Sequence, residues 1–585
     1  MRLDRADLRC RTIAHRADAG ACLRFAAAEL RRYLLAMTGG GTDDDASLPV
    51  RASASFGGAT LRLADGPEIA APEGNDAYRI AAGERGVTVV GSSERAALHG
   101  VYRLLEDLGC AWSPHGSEYE SVPVLSGDGV SIRECNEQPP WRVRAYATDI
   151  HTYHYREPDL LRTRLPADFA FTDWMGKSGA NGFLFIRHPF DTQLSLPELV
   201  PEFAKRGIEP EYGGHVLPLL LPRESFAAHP EWFPLDGHGR RTDMGNLCSN
   251  NAEALRVVAA AAVEYVARHP ELAVLHIWGA DLWDGGWCRC CSCANDTVQD
   301  QNLRVCNAVA EALERAGIAI DVCYLAYHDT IEPDLRLVPR ANVIAEFAPR
   351  ERCYGHALDD PACAINPRYR EAFERHVERF DGRVRLFEYY GDSILFCGIA
   401  VPLVRVIADD LAYYHRAGAR EMTFLQFGAH SLWAHALNFE RYAGIVARSS
   451  APAPRSFGYP PDYWQEIEGA LAGVVTFGDV RRPPRRRADE IRPGLEAALR
   501  VLRGWLPRLR SDPLQQRPLL EYTCAVLEGV ALQLAGTATA HDEAEARYRH
   551  ALDILEGVDD HFVGLWGRKN LPVIHSFHSA ASRRS

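Results

Sequence analysis

The sequence has no apolar stretch long enough to cross a membrane. Nowhere in its 585 residues is there a run approaching the roughly 18 consecutive apolar residues that a spanning helix needs. The first residues, MRLDRADLRCRTIAHRAD, also lack the apolar segment and cleavage signature of a secretory signal. We therefore expect a cytoplasmic protein without a membrane partner, in which the 15 cysteines are mostly reduced thiols rather than disulfides.

The sequence also lacks the excess of basic residues that nucleic-acid binding requires. Its 65 Lys and Arg residues are outnumbered by 78 Asp and Glu residues, and the net charge is −13. A nucleic-acid binder would present a basic face to the phosphates, so we expect no nucleic-acid partner. The basic run RRPPRRR at 481–487 contains a Pro pair, which is typical of an exposed linker.

No glycine-rich phosphate-binding turn follows any of the predicted strands, which argues against a dinucleotide-binding sheet. Eight apolar, strand-like runs instead alternate with helical patterns, as in successive βα units. Several runs are almost continuously apolar, which is typical of parallel strands buried on both faces. The runs are 143–150, 182–188, 216–222, 273–281, 321–327, 342–349, 384–391 and 421–428. Eight units over roughly 300 residues predict an α/β fold, a closed (β/α)8 TIM barrel.

The patterns before and after the barrel predict two further domains. Residues 1–130 contain helical patterns at 21–37 and 94–108 and three short strand candidates, which predicts a small N-terminal α/β domain. The barrel is assigned to residues 131–450. Residues 451–585 begin with the linker APAPRSFGYPP and continue as four amphipathic patterns, which predicts a helical C-terminal domain. Formation of a homodimer through these helices is one hypothesis for their role.

The barrel prediction directs attention to the carboxyl ends of the strands, where the catalytic residues of such barrels lie. Here the ends of the runs collect carboxylates, histidines and aromatic residues. Such a set suits sugar chemistry, because carboxyl groups cleave glycosidic bonds and flat rings bind sugar faces. The residues predicted to bind an oligosaccharide substrate are Asp149, Arg187, His188, His215, Asp281, Trp283, Tyr327, Tyr389, Asp392 and Trp433.

Three carboxylates are the candidates for catalysis: Glu388, Asp284 and Glu346. Asp284 is the predicted proton donor, and Glu388 is the predicted base or the group that orients a substrate amide. Each has a structural alternative. Glu388 and Glu346 lie inside apolar runs, where an unpaired charge is costly, so each could form a salt bridge inside the barrel. Asp284, like Asp281, lies in a Gly-rich loop, where aspartate often serves the turn alone.

Four cysteines fall within six residues of the sequence CRCCSC. Cys290 and Cys293 form one C-x2-C unit, Cys288 supplies a third ligand, and Cys248 in NLCSN could supply a fourth. In a cytoplasmic protein such a cluster favours a metal over disulfides. Two interpretations follow: a structural zinc site, or buried thiols that shape the loop. No HExxH helix indicates a catalytic zinc, and catalysis is expected to need no cofactor.

Several of these segments resemble the domain-of-unknown-function family 4838, whose characterised branch is glycoside hydrolase family 163. The segment AALHGVYRLLEDLGCAWSP resembles that family's N-terminal domain, which is shared with families 20 and 67. HPEWFPLDGHGRR, followed by NLCSNN, resembles its central signature. GADLWDGGWCRCCSCAN resembles its loop after strand four, and RLFEYYGDS resembles one of its last barrel strands. The resemblance covers roughly residues 20–450.

The resemblance implies a barrel that hydrolyses a glycosidic bond at β-linked N-acetylglucosamine, with the substrate acetamide as the attacking group. The related family 67 implies an α-glucuronidase as the alternative, with Asp284, Glu346 and Glu388 at the positions of its carboxylates. The adjacent Asp-Glu pair typical of family 20 is absent after strand four, and a cytoplasmic enzyme would act on small oligosaccharides. The sequence therefore predicts a glycosidase, and a carbohydrate-binding barrel without catalysis is the remaining alternative.

Overall fold

The computed structural model describes most of the chain. The described residues are 2–3, 12–39, 48–52, 60–66, 69–71, 75–83, 86–114, 116, 119–125, 129–148, 158–186, 196–282, 284–392, 395–396, 399, 401–427, 435–450, 459–460, 462–472, 474, 487–510, 516–535 and 537–556. Among them, no helix combines the length and the apolar character needed to span a bilayer.

The N-terminal region contains a six-stranded sheet that packs against two helices, and a separate pair of short strands. Its strands are β1 (Arg2–Leu3), β2 (Thr12–His15), β3 (Val50–Ala52), β4 (Thr60–Asp65), β5 (Tyr78–Gly83), β6 (Gly86–Gly91), β7 (Val130–Ser131) and β8 (Cys135–Glu137), and its helices are α1 (Ala21–Met37) and α2 (Glu94–Asp107). The sheet order is β3-β2-β4-β6-β5-β8, and β1 pairs separately with β7. Helix α2 begins after Ser93, because the Ser93 side chain accepts a hydrogen bond from the backbone N–H of Ala96.

The second region is a closed barrel of eight parallel strands. These strands are β9 (Val143–Thr148), β10 (Gly182–Ile186), β11 (Glu209–Gly214), β12 (Val274–Ile277), β13 (Asp321–Ala326), β14 (Val343–Phe347), β15 (Val384–Asp392) and β16 (Glu421–Phe427). They pair in chain order, and β16 closes the barrel against β9. The surrounding helices are α3 (Pro158–Lys177), α4 (Leu196–Arg206), α5 (Leu217–Leu220), α6 (Ala252–Arg268), α7 (Val298–Arg315), α8 (Asn366–Arg379), α9 (Val404–Arg416) and α10 (Ala436–Val446). The predicted (β/α)8 fold is confirmed.

The prediction of the third strand at residues 216–222 is wrong, because that segment contains the short helix α5 and the third strand is β11. The sequence EPEYGG of β11 is not an apolar run for two reasons. Glu211 faces the barrel interior, where it pairs with His276 and Arg385. Gly213 lies so close to the carbonyl oxygen of His276 that a Cβ would collide with it. A charged interior position therefore hid this strand from a hydrophobicity pattern.

A buried ion cluster fills the middle of the barrel. His276 lies between two carboxylates, with Nε2 2.8 Å from Glu211 and Nδ1 3.0 Å from Glu346. Arg385 makes a second ion pair with Glu211. Although burial acts to lower the pKa of His276, its polar neighbours, led by Cys323 and Glu346, hold that pKa well above its usual value. The two cations therefore balance the carboxylates in a site that excludes water.

The N-terminal region contacts the end of the barrel where the strands begin. Asp76 accepts hydrogen bonds from Arg144, at 2.5 Å, and from Arg95, at 2.9 Å. Arg95 also pairs with Glu209, at 2.8 Å. Arg144 is the second residue of β9 and Glu209 is the first of β11, so this contact lies opposite the carboxyl ends of the strands.

The described residues after the barrel include four further α-helices. The helices are α11 (Tyr463–Leu471), α12 (Ala488–Trp505), α13 (Gln516–Gln533) and α14 (Ala538–Glu556). The buried Trp505 joins two of them, since its ring lies 5.1 Å from that of Tyr463 and its Nε1 donates a hydrogen bond of 2.8 Å to Glu466. One aromatic residue thus fixes α11 against α12.

Candidate functional site

The carboxyl ends of strands β11 to β15 bring polar and aromatic side chains together at one mouth of the barrel. His215 follows β11, and Trp278 opens the connection after β12. Tyr327 follows β13, and Arg350 lies three residues beyond β14. Tyr389 lies near the end of β15. This is the end of a (β/α)8 barrel that carries catalytic residues.

Aromatic rings form one wall of the mouth. The His215 ring lies 5.2 Å from that of Trp278 and 6.0 Å from that of Tyr327. The rings of Tyr327 and Tyr389 are stacked, with centroids 6.4 Å apart and an interplanar angle of 21°. The indole Nε1 of Trp278 donates a hydrogen bond of 3.0 Å to Glu346, which fixes this wall to the buried ion cluster. Trp278 and Tyr389 are almost completely buried and support the partly exposed rings of His215 and Tyr327, which suit contact with a sugar.

The acidic loop, which we define as residues 279–286, follows β12 and carries two exposed aspartates. Asp281 lies beside His215, with its Oδ1 3.9 Å from Nε2 of the imidazole. The other ring nitrogen, Nδ1, lies 2.6 Å from the carbonyl oxygen of Gly279. Because a carbonyl only accepts hydrogen bonds, Nδ1 carries the proton and Nε2 is presented toward Asp281.

Asp329, which no motif in the sequence singles out, faces the other aspartate of this loop. It lies in a single 3-10 turn, His328–Thr330, just beyond β13. Its carboxylate is open to solvent on one side, and a Cβ at Gly285 would collide with it. The surrounding protein limits its hydration, and this desolvation, with the negative charge of Asp284, raises the pKa of Asp329 to about 6. Proton donation to a leaving group at moderate pH requires such a carboxyl.

Arg350 is a fixed positive charge at the mouth. Its Nε donates a hydrogen bond of 3.0 Å to Asp392, and its guanidinium carbon lies 5.8 Å from the centre of the Tyr389 ring. Although burial acts to lower the pKa of Arg350, the charge of Asp392 holds that pKa above its usual value. Asp392 in turn accepts a hydrogen bond from the backbone N–H of Leu395. The pair is therefore rigid and oriented before any substrate binds.

His328 has a conformation that few residues other than glycine adopt, with φ of 45°. Its Nδ1 lies 3.9 Å from Glu351, which follows Arg350 in the chain. Burial lowers the pKa of His328 to about 4, against the opposing effect of Glu351. The imidazole is therefore neutral at neutral pH. Strained, partly buried polar residues of this kind cluster at functional sites.

The structure places Glu388, the leading catalytic candidate, away from the mouth. Its carboxylate is completely buried and accepts hydrogen bonds from Arg352 at 3.1 Å, from Tyr354 at 2.7 Å and from Tyr414 at 2.5 Å. Arg352 also pairs with Asp410 of helix α9. Both carboxylate oxygens are occupied on the side of the strand that faces the helices, which favours the salt-bridge alternative over catalysis.

Glu346 is also completely buried, and it lies below the mouth in the ion cluster. One oxygen, Oε2, accepts hydrogen bonds from His276 and from Trp278, both at 3.0 Å. Its connection to the mouth passes through the indole ring of Trp278. This geometry favours a positioning role for Glu346 over direct contact with substrate.

Six of the predicted site residues therefore meet at the mouth: His215, Asp281, Asp284, Tyr327, Tyr389 and Asp392. Five others, Asp149, Arg187, His188, Trp283 and Trp433, lie outside the described residues. Five residues of the mouth, Trp278, His328, Asp329, Arg350 and Glu351, were not among those predicted. Their signal in the sequence is position alone, since each follows a barrel strand by a few residues.

The four cysteines predicted as metal ligands, Cys248, Cys288, Cys290 and Cys293, are buried together beside the acidic loop. Their sulfur atoms all lie within 4.8 Å of one another.

Comparisons with known proteins agree with this architecture. Residues 149–438 match the family model of DUF4838, a domain of unknown function, which confirms the resemblance drawn from the sequence. Among curated proteins, none matches the sequence significantly.

The fold is similar to those of solved glycoside hydrolases. A family GH115 4-O-methyl-α-glucuronidase with specificity for decorated arabinogalactans has a TM-score of 0.62 at 13% identity, over 97% of this chain and 79% of that chain. A family 89 enzyme from Clostridium perfringens, in complex with its substrate GlcNAc-α-1,4-galactose, has a TM-score of 0.53 at 10% identity, over 92% and 65%. A GH138 enzyme targeting pectin rhamnogalacturonan II has a TM-score of 0.51 at 9% identity, over 94% and 74%. At these identities the likeness concerns the fold alone.

Proposed function

Because residues 149–438 match the DUF4838 family on a glycoside hydrolase fold, we propose that this protein is a glycosidase that acts on oligosaccharides. The observation that carries the proposal is a pair of carboxylates at the carboxyl end of the barrel: Asp284 precedes Gly285 in the chain, and the carboxylate of Asp329 occupies the space that a side chain at Gly285 would need. Asp329 follows Tyr327 by two residues, and the Tyr327 ring packs with those of His215 and Tyr389 at this end of the barrel. Two carboxyl groups and a sugar-binding surface are the elements of glycoside hydrolysis.

In the proposed reaction Asp329 is the proton donor and Asp284 is its partner. A carboxyl with a pKa of about 6 keeps its proton in mildly acidic solution and can pass it to the glycosidic oxygen. The carboxylate of Asp284 acts as the base, or orients a substrate amide that attacks the anomeric carbon. The role of proton donor is thus reassigned from Asp284, the donor predicted from the sequence, to Asp329, whose surroundings raise its pKa. No step requires a cofactor.

The substrate that we propose is a β-linked N-acetylglucosaminide. Two carboxyl groups, one that donates a proton and one that orients the substrate acetamide, suit a mechanism in which that acetamide is the nucleophile. The family 89 relative is named with a substrate that contains α-linked GlcNAc, which supports the choice of the sugar, while the β linkage is what the family resemblance implies. The free thiols of the thirteen described cysteines support the further proposal that the enzyme works in the reducing cytoplasm.

One observation favours a second candidate, an α-glucuronidase. Arg350 is a permanent cation at the mouth, and a guanidinium binds a carboxylate such as that of a uronic acid with two parallel hydrogen bonds. The GH115 relative is named as an α-glucuronidase, in accord with this alternative. Arg350 already holds Asp392, however, so a uronate would have to share the guanidinium.

A panel of 4-nitrophenyl glycosides tests the proposal and separates the two candidates. We expect turnover of the β-N-acetylglucosaminide, with activity falling progressively when the acetamide is fluorinated and becomes a weaker nucleophile. Preference for the α-glucuronide would select the second candidate. Failure of the folded protein to cleave any glycoside in the panel would overturn the proposal.

The roles of the two carboxylates are tested by the leaving group. Asp329→Asn should lower kcat/KM for a phenyl glycoside, which needs a proton, at least about tenfold more than for a dinitrophenyl glycoside, which does not. Asp284→Asn should lower kcat/KM for both substrates by a similar factor. Asp381→Asn, an exposed aspartate beyond α8 at the opposite end of the barrel, is the matched control. Wild-type turnover by both site variants would refute the assignment.

A further inference from the structure

Four buried cysteines come together from two loops that are 40 residues apart in the chain. Cys248 lies just before helix α6, and Cys288, Cys290 and Cys293 follow the acidic loop. The sulfur of Cys248 lies 3.7 Å from that of Cys290 and 3.8 Å from that of Cys293. All four are free thiols rather than disulfides. Cys291, in the middle of the same run, is exposed and does not join the cluster.

The sulfur separations fit a tetrahedral metal site. Zinc binds thiolate sulfur at about 2.3 Å, so two corners of a regular ZnS4 tetrahedron are about 3.8 Å apart. A disulfide would require about 2.05 Å. Four sulfurs that all lie within 4.8 Å of one another, closed off from solvent, therefore provide a complete ligand set with no position left for water or substrate.

The groups around the cluster are donors, as thiolates require. The backbone N–H of Leu235 lies 3.4 Å from the sulfur of Cys288, and Nη1 of Arg241 lies 3.6 Å from the same atom. Asn250 directs its Nδ2 to the sulfur of Cys293 at 3.5 Å. Four thiolates on a divalent ion leave a net negative charge, and amide and guanidinium donors stabilise it.

From this geometry we propose that Cys248, Cys288, Cys290 and Cys293 bind one structural zinc ion. The ion ties the acidic loop to the segment before α6. Asn246, two residues before Cys248, donates a hydrogen bond of 2.7 Å to the carbonyl of Gly285 and accepts one of 2.7 Å from the N–H of Ala280. The zinc thus holds the loop that carries Asp281 and Asp284 without touching substrate.

Metal analysis of the purified full-length protein tests the site directly, whatever the protein's activity. We expect about one zinc per chain in the wild type and at least a tenfold loss in Cys248→Ser and Cys290→Ser. Cys291→Ser, a change of the same kind within the same run, should keep the wild-type content. Absence of zinc from the wild type, iron in its place, or equal loss in all three variants would overturn the proposal.

A second measurement covers variants that fail to fold. Cobalt substituted into the wild type should give the intense visible and near-ultraviolet absorption of tetrahedral cobalt thiolate, and added zinc should abolish it. A pale, octahedral cobalt spectrum would overturn the tetrathiolate assignment. Because both readouts are independent of turnover, their outcome is separate from that of the glycosidase proposal.

Discussion

The carboxylate of Asp329 occupies the space that a side chain at Gly285 would need. Gly285 also has φ of 69°, a backbone conformation that residues with a Cβ rarely adopt. The glycine therefore serves the acidic loop in two ways, by allowing its turn and by letting Asp329 approach Asp284. We regard this contact as the feature that brings the two carboxylates into one electrostatic unit.

Gly285→Ala should displace Asp329 and lower kcat/KM at least about tenfold. The control is Gly317→Ala, because Gly317 has a similar φ of 73° and a Cβ added there would meet nothing within 4 Å. Both substitutions carry the same backbone strain, on the order of 1 kcal/mol. A loss of activity confined to Gly285→Ala would support the contact, and this variant should also lose more thermal stability than Gly317→Ala, because its Cβ would meet Trp287 as well as Asp329. Equal activities in the two variants would contradict it.

The activity should depend on pH through Asp329. The donor works only when protonated, so kcat/KM should fall as the pH rises through about 6. In Asp284→Asn the neighbouring negative charge is gone, the pKa of Asp329 falls, and the alkaline limb of the residual activity should move to lower pH. A profile of kcat/KM from pH 4 to 9, recorded for the wild type and for the variant, measures the alkaline limb of each. An alkaline limb unmoved by this variant, with a normal one in Asp381→Asn, would show that the carboxylates do not interact.

The stability of the folded protein should also decrease as the pH rises. The folded protein holds the proton of Asp329 more tightly than the unfolded chain does, so this residue's contribution to stability is lost as the pH rises from about 4 to 6. Asp329→Asn removes the ionisable group, and the variant should gain thermal stability relative to the wild type at pH 7 but not at pH 4. Melting curves at the two pH values check this. A loss of stability at both would indicate that the carboxylate is a structural acceptor.

Glu388 provides a test that separates a structural charge from a catalytic one. Glu388→Gln preserves the shape of the side chain but leaves Arg352 with Asp410 as its remaining buried counter-charge. Breaking a buried ion pair costs about 3–5 kcal/mol of unfolding free energy. We expect a loss of that order in urea denaturation, while kcat of the folded enzyme at low temperature stays within about threefold.

The opposite result would assign Glu388 a catalytic role. If Glu388→Gln melts like the wild type and loses 100-fold or more in kcat, the carboxylate acts in catalysis. Glu378→Gln, on the exposed side of helix α8, is the matched control for the loss of a carboxylate.

The sequence was sufficient to predict the barrel because seven of its strands coincide with the predicted runs, several of which are almost continuously apolar, as in parallel strands buried on both faces. It failed at β11, where an inward-facing Glu211 is neutralised by partners from β12 and β15 that only the closed barrel brings near. The same limit applies to Glu388. Alternation along β15 directs Arg385, Phe387 and Tyr389 inward, so Glu388 faces the helices, but the register of a strand is not encoded in its own hydrophobicity.

The location of the site could be predicted from the sequence, but the role of each residue in it could not. The residues at strand ends include most of the mouth, since barrel topology dictates where those ends meet. Asp329 was missed because its significance arises from Asp284, 45 residues earlier in the chain, and from the glycine that lets the two approach. The pKa of a carboxyl group depends on such neighbours and on its hydration, neither of which a local motif contains.

Glu346 should influence substrate binding through Trp278 rather than through chemistry. Glu346→Gln weakens the acceptor of the indole N–H and unbalances His276, so the ring that backs His215 becomes less fixed. We expect KM to rise about five- to tenfold with kcat changed less than about threefold. In a double-mutant cycle, adding Glu346→Gln to Trp278→Phe should cause little further increase in KM, because both changes disrupt one interaction. Independent, additive effects, or a fall in kcat with KM unchanged, would place Glu346 in the reaction itself and revise the roles proposed for Asp284 and Asp329.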